Sequence, residues 1–255
     1  MRMNNLRNIL NKSIKSALLA VLLLLLPLLQ YGCYKPVAAH SLSATESPTF
    51  SASNSASIDE SSQFVDSQTE YSIKRFGPII QKYSEKYDMD WRLVLSVMKR
   101  ESRFHPKALS YRGAFGLMQI MPTTQDELAG KLGLEEAESP YNNIKAGIYH
   151  LRSLYRVFGG ADHQNRIRLT LAAYNAGLSR ILDARDIARF LGDDPNDWKA
   201  VKAALPLLSK RHYTLHEKVW EGGKPRAGFF RDWIQTQNYV ESIISYYDEY
   251  QLALR

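Results

Sequence analysis

A glutamate at the end of an apolar helix is the residue of this chain best placed to do chemistry. From Trp91 onward the residues Trp91, Val94, Leu95, Val97 and Met98 recur at helical spacing, which predicts an amphipathic helix packed on a core. Asp90 precedes it as an N-cap, and His105-Pro106 end it. Steps of three and four from Val94 and Met98 lead to Glu101, in the last turn and on the buried edge. Lys99, Arg100 and Arg103 suit a helix C-terminus, whereas a carboxylate there gains nothing from the macrodipole. Two readings follow. Glu101 is either a surface acid paired with Arg100 or Arg103, or an acid whose desolvation beside Met98 raises its pKa and lets it deliver a proton near neutrality.

The polar residues set among apolar ones extend the second reading. A loop, Ser110 to Gly116, contains Gly113 and Gly116, which permit tight turns or a close backbone approach. Gln119 then places an amide within Leu117-Met118-Gln119-Ile120-Met121, where it must find a partner. Ala173-Tyr174-Asn175-Ala176-Gly177 adds an amide and a ring with a polar tip. Sugar polymers are bound by such mixtures of amides, hydroxyls and ring faces. Plain structural roles stand beside this reading: a helix-start hydrogen bond for Gln119 and a helix C-cap for Asn175 to Gly177. His212 and His216 lie one helical turn apart without an adjoining third ligand, so they read as a basic surface turn, with no metal or cofactor. The run GGKPRAG at 222–228 lacks phosphate-loop spacing and reads as a loop, and Phe229, Phe230 and Trp233 read as core.

The elements that must position these residues are helical. Phe76, Ile79, Ile80, Tyr83 and Tyr87 form one stripe; Ile144, Ile148, Leu151 and Tyr155 form another, ended by Gly159-Gly160. Ile167 to Tyr174, a polar Pro-bearing insert, and a last helix with Tyr239, Ile243, Ile244 and Tyr247 follow. No period-two run is long enough for a substantial sheet, so the fold class is mainly α. Residues 71–255 are read as one folded domain, of a size that one core can serve.

Residues 1–39 read differently. Arg2, Arg7, Lys12 and Lys15 precede the apolar run Ala17 to Leu29, a signal-peptide pattern. Two processing sites follow it: lipid modification of Cys33, the chain's one cysteine, or cleavage after Ala39. Gln30 and Tyr31 depart from the aliphatic and small residues usual before a lipidated cysteine. Residues 40–70 are serine-rich and acidic, without Lys or Arg, and read as a disordered linker. The five basic groups before it and its five acids cancel, so the net charge of +7 lies in residues 71–255. An exported basic domain favours an anionic polymer, and charge alone does not choose among cell wall, lipid head groups and nucleic acid.

Four segments in order, Glu101-Ser102, Gly116 to Ile120, Ala173 to Gly177 and Tyr239-Val240, resemble the motifs of the soluble-lytic-transglycosylase (SLT) catalytic domain family. The stretch from Asp183 to Ser209 is most similar to the membrane-bound lytic transglycosylase F branch, without the solute-binding-like module usual there. The resemblance implies a lysozyme-like catalytic domain and cleavage of the MurNAc-β-1,4-GlcNAc bond of peptidoglycan. It further implies that Glu101 is the catalytic acid and base, that Ser110 and Gln119 contact sugar, and that Met118 and Met121 line the cleft. Tyr174 and Asn175 would hold substrate, and Tyr239 would close the site near Glu101. The implied partner is a peptidoglycan strand and not nucleic acid, and the implied place is the periplasm, with Cys33 as an anchor to the outer membrane. Gln235 stands where the family usually carries a glutamate, with Asp232 and Glu241 as neighbouring acids. Rival readings are a lysozyme-type hydrolase using a second acid such as Asp126 or Asp162, and a catalytically silent wall-binding protein.

Overall fold

Helix α1, Ser67–Lys86, opens the fold because Asp66 accepts hydrogen bonds from the Thr69 amide and hydroxyl at 2.9 and 2.7 Å. This satisfies a backbone donor that the first turn leaves orphaned. The computed structural model describes residues 65–135 and 139–254. The expected signal peptide, Cys33, the Ala39 cleavage point and residues 40–64 of the expected linker lie outside the described residues. The remainder of that linker is corrected at its end: residues 67–70 are helical, and Thr69 is buried. A serine-rich composition hid a capped helix start.

The other helices are α2 Trp91–Ser102, α3 Pro122–Leu132, α4 Pro140–Val157, α5 His163–Ala176, α6 Leu178–Phe190, α7 Trp198–Ala204, α8 Tyr213–Val219 and α9 Trp233–Ala253. Short 3-10 turns at Leu205–Leu208 and Lys210–His212 join α7 to α8. Among the described residues the extended pairing amounts to isolated bridges, Leu109 with Phe115 and Phe115 with Ile120. The mainly α expectation therefore holds. No helix among the described residues is long and apolar enough to cross a membrane. The insert between α5 and α9, read from sequence only as polar, is itself helical: α6 buries Ile181, Ala184, Ile187 and Ala188, and α7 buries Trp198 and Val201.

α2 and α9 form the frame of the site. Asp90 caps α2 as expected, accepting from the Arg92 amide at 2.9 Å, and Leu93, Val94, Leu95, Val97 and Met98 are buried. α9 packs across α2 and α5, burying Tyr239, Val240, Ile243, Tyr247 and Tyr250. Two phenols hold it at its far end: Tyr247 donates to Asp90 Oδ2 at 2.9 Å, and the Tyr250 hydroxyl bonds the Thr69 hydroxyl at 3.0 Å. Hydroxyls that would be costly to bury alone thus find partners on other helices.

The histidine pair departs from expectation. His216 is fully buried, its Nε2 donates to the Leu207 carbonyl at 2.7 Å, and its ring lies 5.7 Å from both Trp220 and Phe229. It is a core histidine, not part of a basic surface turn, because one ring nitrogen is satisfied by backbone and the ring faces by aromatics. Phe230 is buried and Trp233 half-buried as expected, whereas Phe229 is exposed at the rim of a cleft.

Candidate active site

Glu101 sits in the last turn of α2, half-buried, and accepts a 2.6 Å hydrogen bond at Oε1 from the Tyr239 hydroxyl of α9. Among the described residues it forms no ion pair with Arg100 or Arg103 and its second oxygen has no protein hydrogen bond, so the surface-pair reading fails. Burial lifts its pKa to about 7, against the opposing pull of the Tyr239 hydrogen bond and the Arg100 charge. Arg100 lies over the Tyr239 ring, 5.5 Å from its centre. A carboxyl poised at neutrality, held by one short bond and with a free oxygen, can give a proton and take one back.

Just after α2 the chain turns sharply. Arg103 and Phe104 take left-handed φ values of 48° and 60°, and Phe104 buries its ring. Such conformations are costly for non-glycine residues and persist where packing enforces them. Ser102 ties this corner to the following loop, its hydroxyl lying 2.9 Å from the Leu117 carbonyl and 3.1 Å from that of Met98. The Ser110 hydroxyl accepts from the Ala114 amide at 2.9 Å, closing the turn at Gly113. Gln119, at φ 46°, donates from Nε2 to the carbonyls of Ala108 and Gly116, both at 2.9 Å. The amide thus has the partner its surroundings demand, and that partner is the loop's own backbone.

Gly116 explains how the loop is seated. A Cβ there would lie 2.6 Å from the Asn143 side chain. Asn143, buried on α4, accepts from the Met118 amide at 2.8 Å and donates to the Phe115 carbonyl at 3.0 Å. Met118 is the clearest correction among the expected site residues. It is fully buried and fills the slot left by Gly147, where a Cβ would meet its Cγ at 2.6 Å. Its side chain belongs to the core rather than the cleft wall; its backbone carbonyl accepts from the Tyr174 hydroxyl at 2.7 Å. Met121 is exposed at the N-cap of α3.

Tyr174 and Tyr239 both feel the Glu101 charge. Burial first, then that charge, pushes both phenols well above their usual range, so they stay protonated donors. Glu101, Tyr174, Tyr239 and the Met118 carbonyl are therefore gathered together. Asn175, next along α5, accepts from the Thr236 hydroxyl of α9 at 2.9 Å and lines an adjoining cleft with Gln235. His150, half-buried with its ring 5.3 Å from that of Tyr174, was not singled out from sequence. Burial lowers its pKa, so it packs there as a neutral ring. Of the other acids that the sequence offered, Asp232 lines that adjoining cleft. Glu241 pairs with Lys202 at 2.8 Å, Asp162 caps α5 through Asn165, and Asp126 is exposed on α3. Among the described residues no three His, Cys, Asp or Glu side chains gather closely enough to hold a metal ion.

With this geometry in place, comparison with known proteins is informative: residues 78–197 match the family described as the Transglycosylase SLT domain. This segment belongs to that family. The SLT segment holds Glu101, Tyr174 and Asn175, and α9 adds Tyr239 from beyond its end. The chain is similar to the membrane-bound lytic murein transglycosylase F of Desulfosudis oleivorans, with 34% identity over 69% of this chain and 36% of the relative. The protein of that name from Vibrio parahaemolyticus is 35% identical over 69% of this chain and 31% of its own length. The chain thus spans about a third of the length of these curated relatives. Among solved structures, the 70 kDa soluble lytic transglycosylase of Escherichia coli is similar over 71% of this chain and 25% of its own, with 23% identity and a TM-score of 0.45.

Proposed function

We propose that this protein is a peptidoglycan lytic transglycosylase, built on a lysozyme-like domain, that cuts the MurNAc-β-1,4-GlcNAc bond and leaves a 1,6-anhydroMurNAc end. Glu101 carries the reaction alone. Its acid form gives a proton to the glycosidic oxygen as the bond from that oxygen to MurNAc C1 breaks. The resulting carboxylate takes the proton of the MurNAc C6 hydroxyl while the C6 oxygen bonds to C1, which restores the acid without using water. Tyr239 orients the carboxyl through its 2.6 Å bond. Tyr174 and Asn175 hold the substrate beside it, and Ser110, Gln119 and Asn143 keep the loop that forms the facing wall in place.

The observation that carries this reading is the Glu101 carboxyl, bonded to Tyr239 and lifted to about 7 by burial, with no other carboxylate among the described residues acting on its charge. A hydrolase of the usual kind needs a second carboxyl across the bond. The test is mass spectrometry of muropeptides released from purified peptidoglycan by the full chain and by Glu101→Gln. Products ending in 1,6-anhydroMurNAc, lost in the variant, are expected; reducing MurNAc ends would make the protein a hydrolase, and no product from either would leave a binding protein. The same reading assigns the domain to the periplasm, exported by a leader that is either removed after Ala39 or ends at a lipidated Cys33, which would then anchor it at the outer membrane. The name membrane-bound on its relatives supports an envelope location.

A further inference from the structure

A cleft of ≈ 260 Å³ opens beside Asn175, lined by three arginines from three separate segments. Arg112 comes from the loop after α2, Arg180 from α6 and Arg231 from the stretch leading into α9. Asp232 is the one acid lining it, and Gln235 contributes a neutral amide, so the cleft is net positive. Among the described residues none of the three guanidiniums is in an ion pair; Arg112 and Arg231 are exposed and Arg180 is half-buried. Arg180 is partly committed: one terminal nitrogen donates to the Ala176 carbonyl at 2.8 Å, and its carbon lies 5.3 Å from the centre of the Phe230 ring. Its Nε is buried and has no hydrogen-bond partner. Guanidiniums that line one cleft without a counter-charge repel one another, weakly where solvent screens them. An anion in the cleft relieves that repulsion, and the planar fork of a guanidinium matches a carboxylate. The volume is several times that of one water.

We propose that this cleft is a carboxylate subsite that recognises the charge carried by the glycan strand beside the cleavage point. Asn175 joins the two places: it follows Tyr174, which feels the Glu101 charge, and it lines the cleft while bonded to Thr236. This rests on the function proposed above. On such a strand the carboxylate comes from the peptide stem or, where the stem has been removed, from the lactyl group; both present the same planar anion.

The experiment uses the full chain and the double variant Arg112→Gln/Arg231→Gln, which spares Arg180 and its bond to Ala176. Three substrates are compared: native strands, strands whose carboxyls are capped with methylamine by carbodiimide coupling, and strands stripped of stems by an amidase. The ratio of kcat/KM on native to capped strands is expected to be roughly ten- to a hundredfold in the parent, the span of charge-assisted bonds, and to fall towards one in the double variant. The change should lie in KM. A sensitivity of native but not stripped strands to the arginine changes assigns the anion to the stem; the reverse assigns it to the lactyl group. Product from every substrate with the same ratio in both proteins overturns the subsite while leaving the transglycosylase reading intact. No product from any strand with the parent overturns both. Matching thermal unfolding of the two proteins separates the loss of charge from misfolding.

Discussion

Two carboxyls are drawn into this fold and both are raised above the usual carboxylate range by burial, yet their surroundings assign them opposite work. Asp183 on α6 is almost fully buried and accepts from the backbone amide of Ala227 at 2.8 Å, with the Arg226 amide also bearing on it. It pins the loop between α8 and α9, and its partners are backbone amides that cannot move. Glu101 has one short bond, from a phenol, and a second oxygen without a protein partner. Burial raises the pKa of both, but Asp183 is almost fully out of a ligand's reach, whereas half-buried Glu101 can exchange a proton with one. The comparison fails if exchanging acid for amide has the same consequences at both positions.

The largest expected contrast is therefore between Glu101→Gln and Asp183→Asn. Glu101→Gln should lower kcat by about 10²–10⁴, the usual reach of general acid-base catalysis, while raising stability above neutral pH. The sign follows from linkage. The folded pKa of about 7 exceeds the ordinary glutamate value of 4.5, so the folded state holds a proton that the unfolded chain has released between those values. Stability is therefore full below about 4.5 and declines as pH rises to about 7, by up to about 3 kcal/mol. The glutamine variant avoids this loss, so urea unfolding at pH 8 should find it more stable than the parent and at pH 4 equal to it. Equal stability at both values would mean that Glu101 is not desolvated. In the parent, kcat/KM should fall about tenfold per pH unit above about 7, as the acid form is lost.

Asp183 should behave in the other way. Asp183→Asn keeps an acceptor for the Ala227 amide and should change stability by about half a kcal/mol or less. Asp183→Ala removes it and should cost about 1–3 kcal/mol, the penalty of an unsatisfied buried amide. Denaturant melts of the pair measure the difference. Activity per folded molecule should fall far less in either than in Glu101→Gln; a comparable fall would place Asp183 in the chemistry.

How much of this was legible in the sequence depended on whether a residue's role is local. The α2 stripe, the Asp90 cap and the position of Glu101 follow from spacing within one helix, and the structure keeps them. The start of α1 was hidden because serine-rich composition outweighs one capping aspartate. Met118 was misplaced because its apolar run has no period that separates core from cleft, and its burial depends on Gly147, on a different helix. Asn143 was missed for the same reason: it reads as one polar residue in the α4 stripe, and its partners, Phe115 and Met118, lie across a long stretch of chain. Each misreading concerns a contact between segments, which no pattern within either segment contains.

The smallest effect, and the finest division of Glu101 from Asp183, comes from removing a single oxygen. Tyr239→Phe deletes the donor to Glu101 and leaves the ring in the core. That hydrogen bond favours the charged carboxylate and opposes desolvation; without it the Glu101 pKa should move higher, carrying the alkaline limb of kcat/KM with it. The catalytic cost should be about tenfold in kcat, about 1.4 kcal/mol, because the freed carboxyl loses its orientation but not its proton. Asp183 has no such dependence on a side chain, since its donors are backbone. If the limb stays where it is in Tyr239→Phe while kcat falls, the phenol positions the substrate and not the acid. The 2.6 Å bond would then be packing, and the electrostatic link from α9 to the reaction would have to run through the Arg100 guanidinium over the same ring.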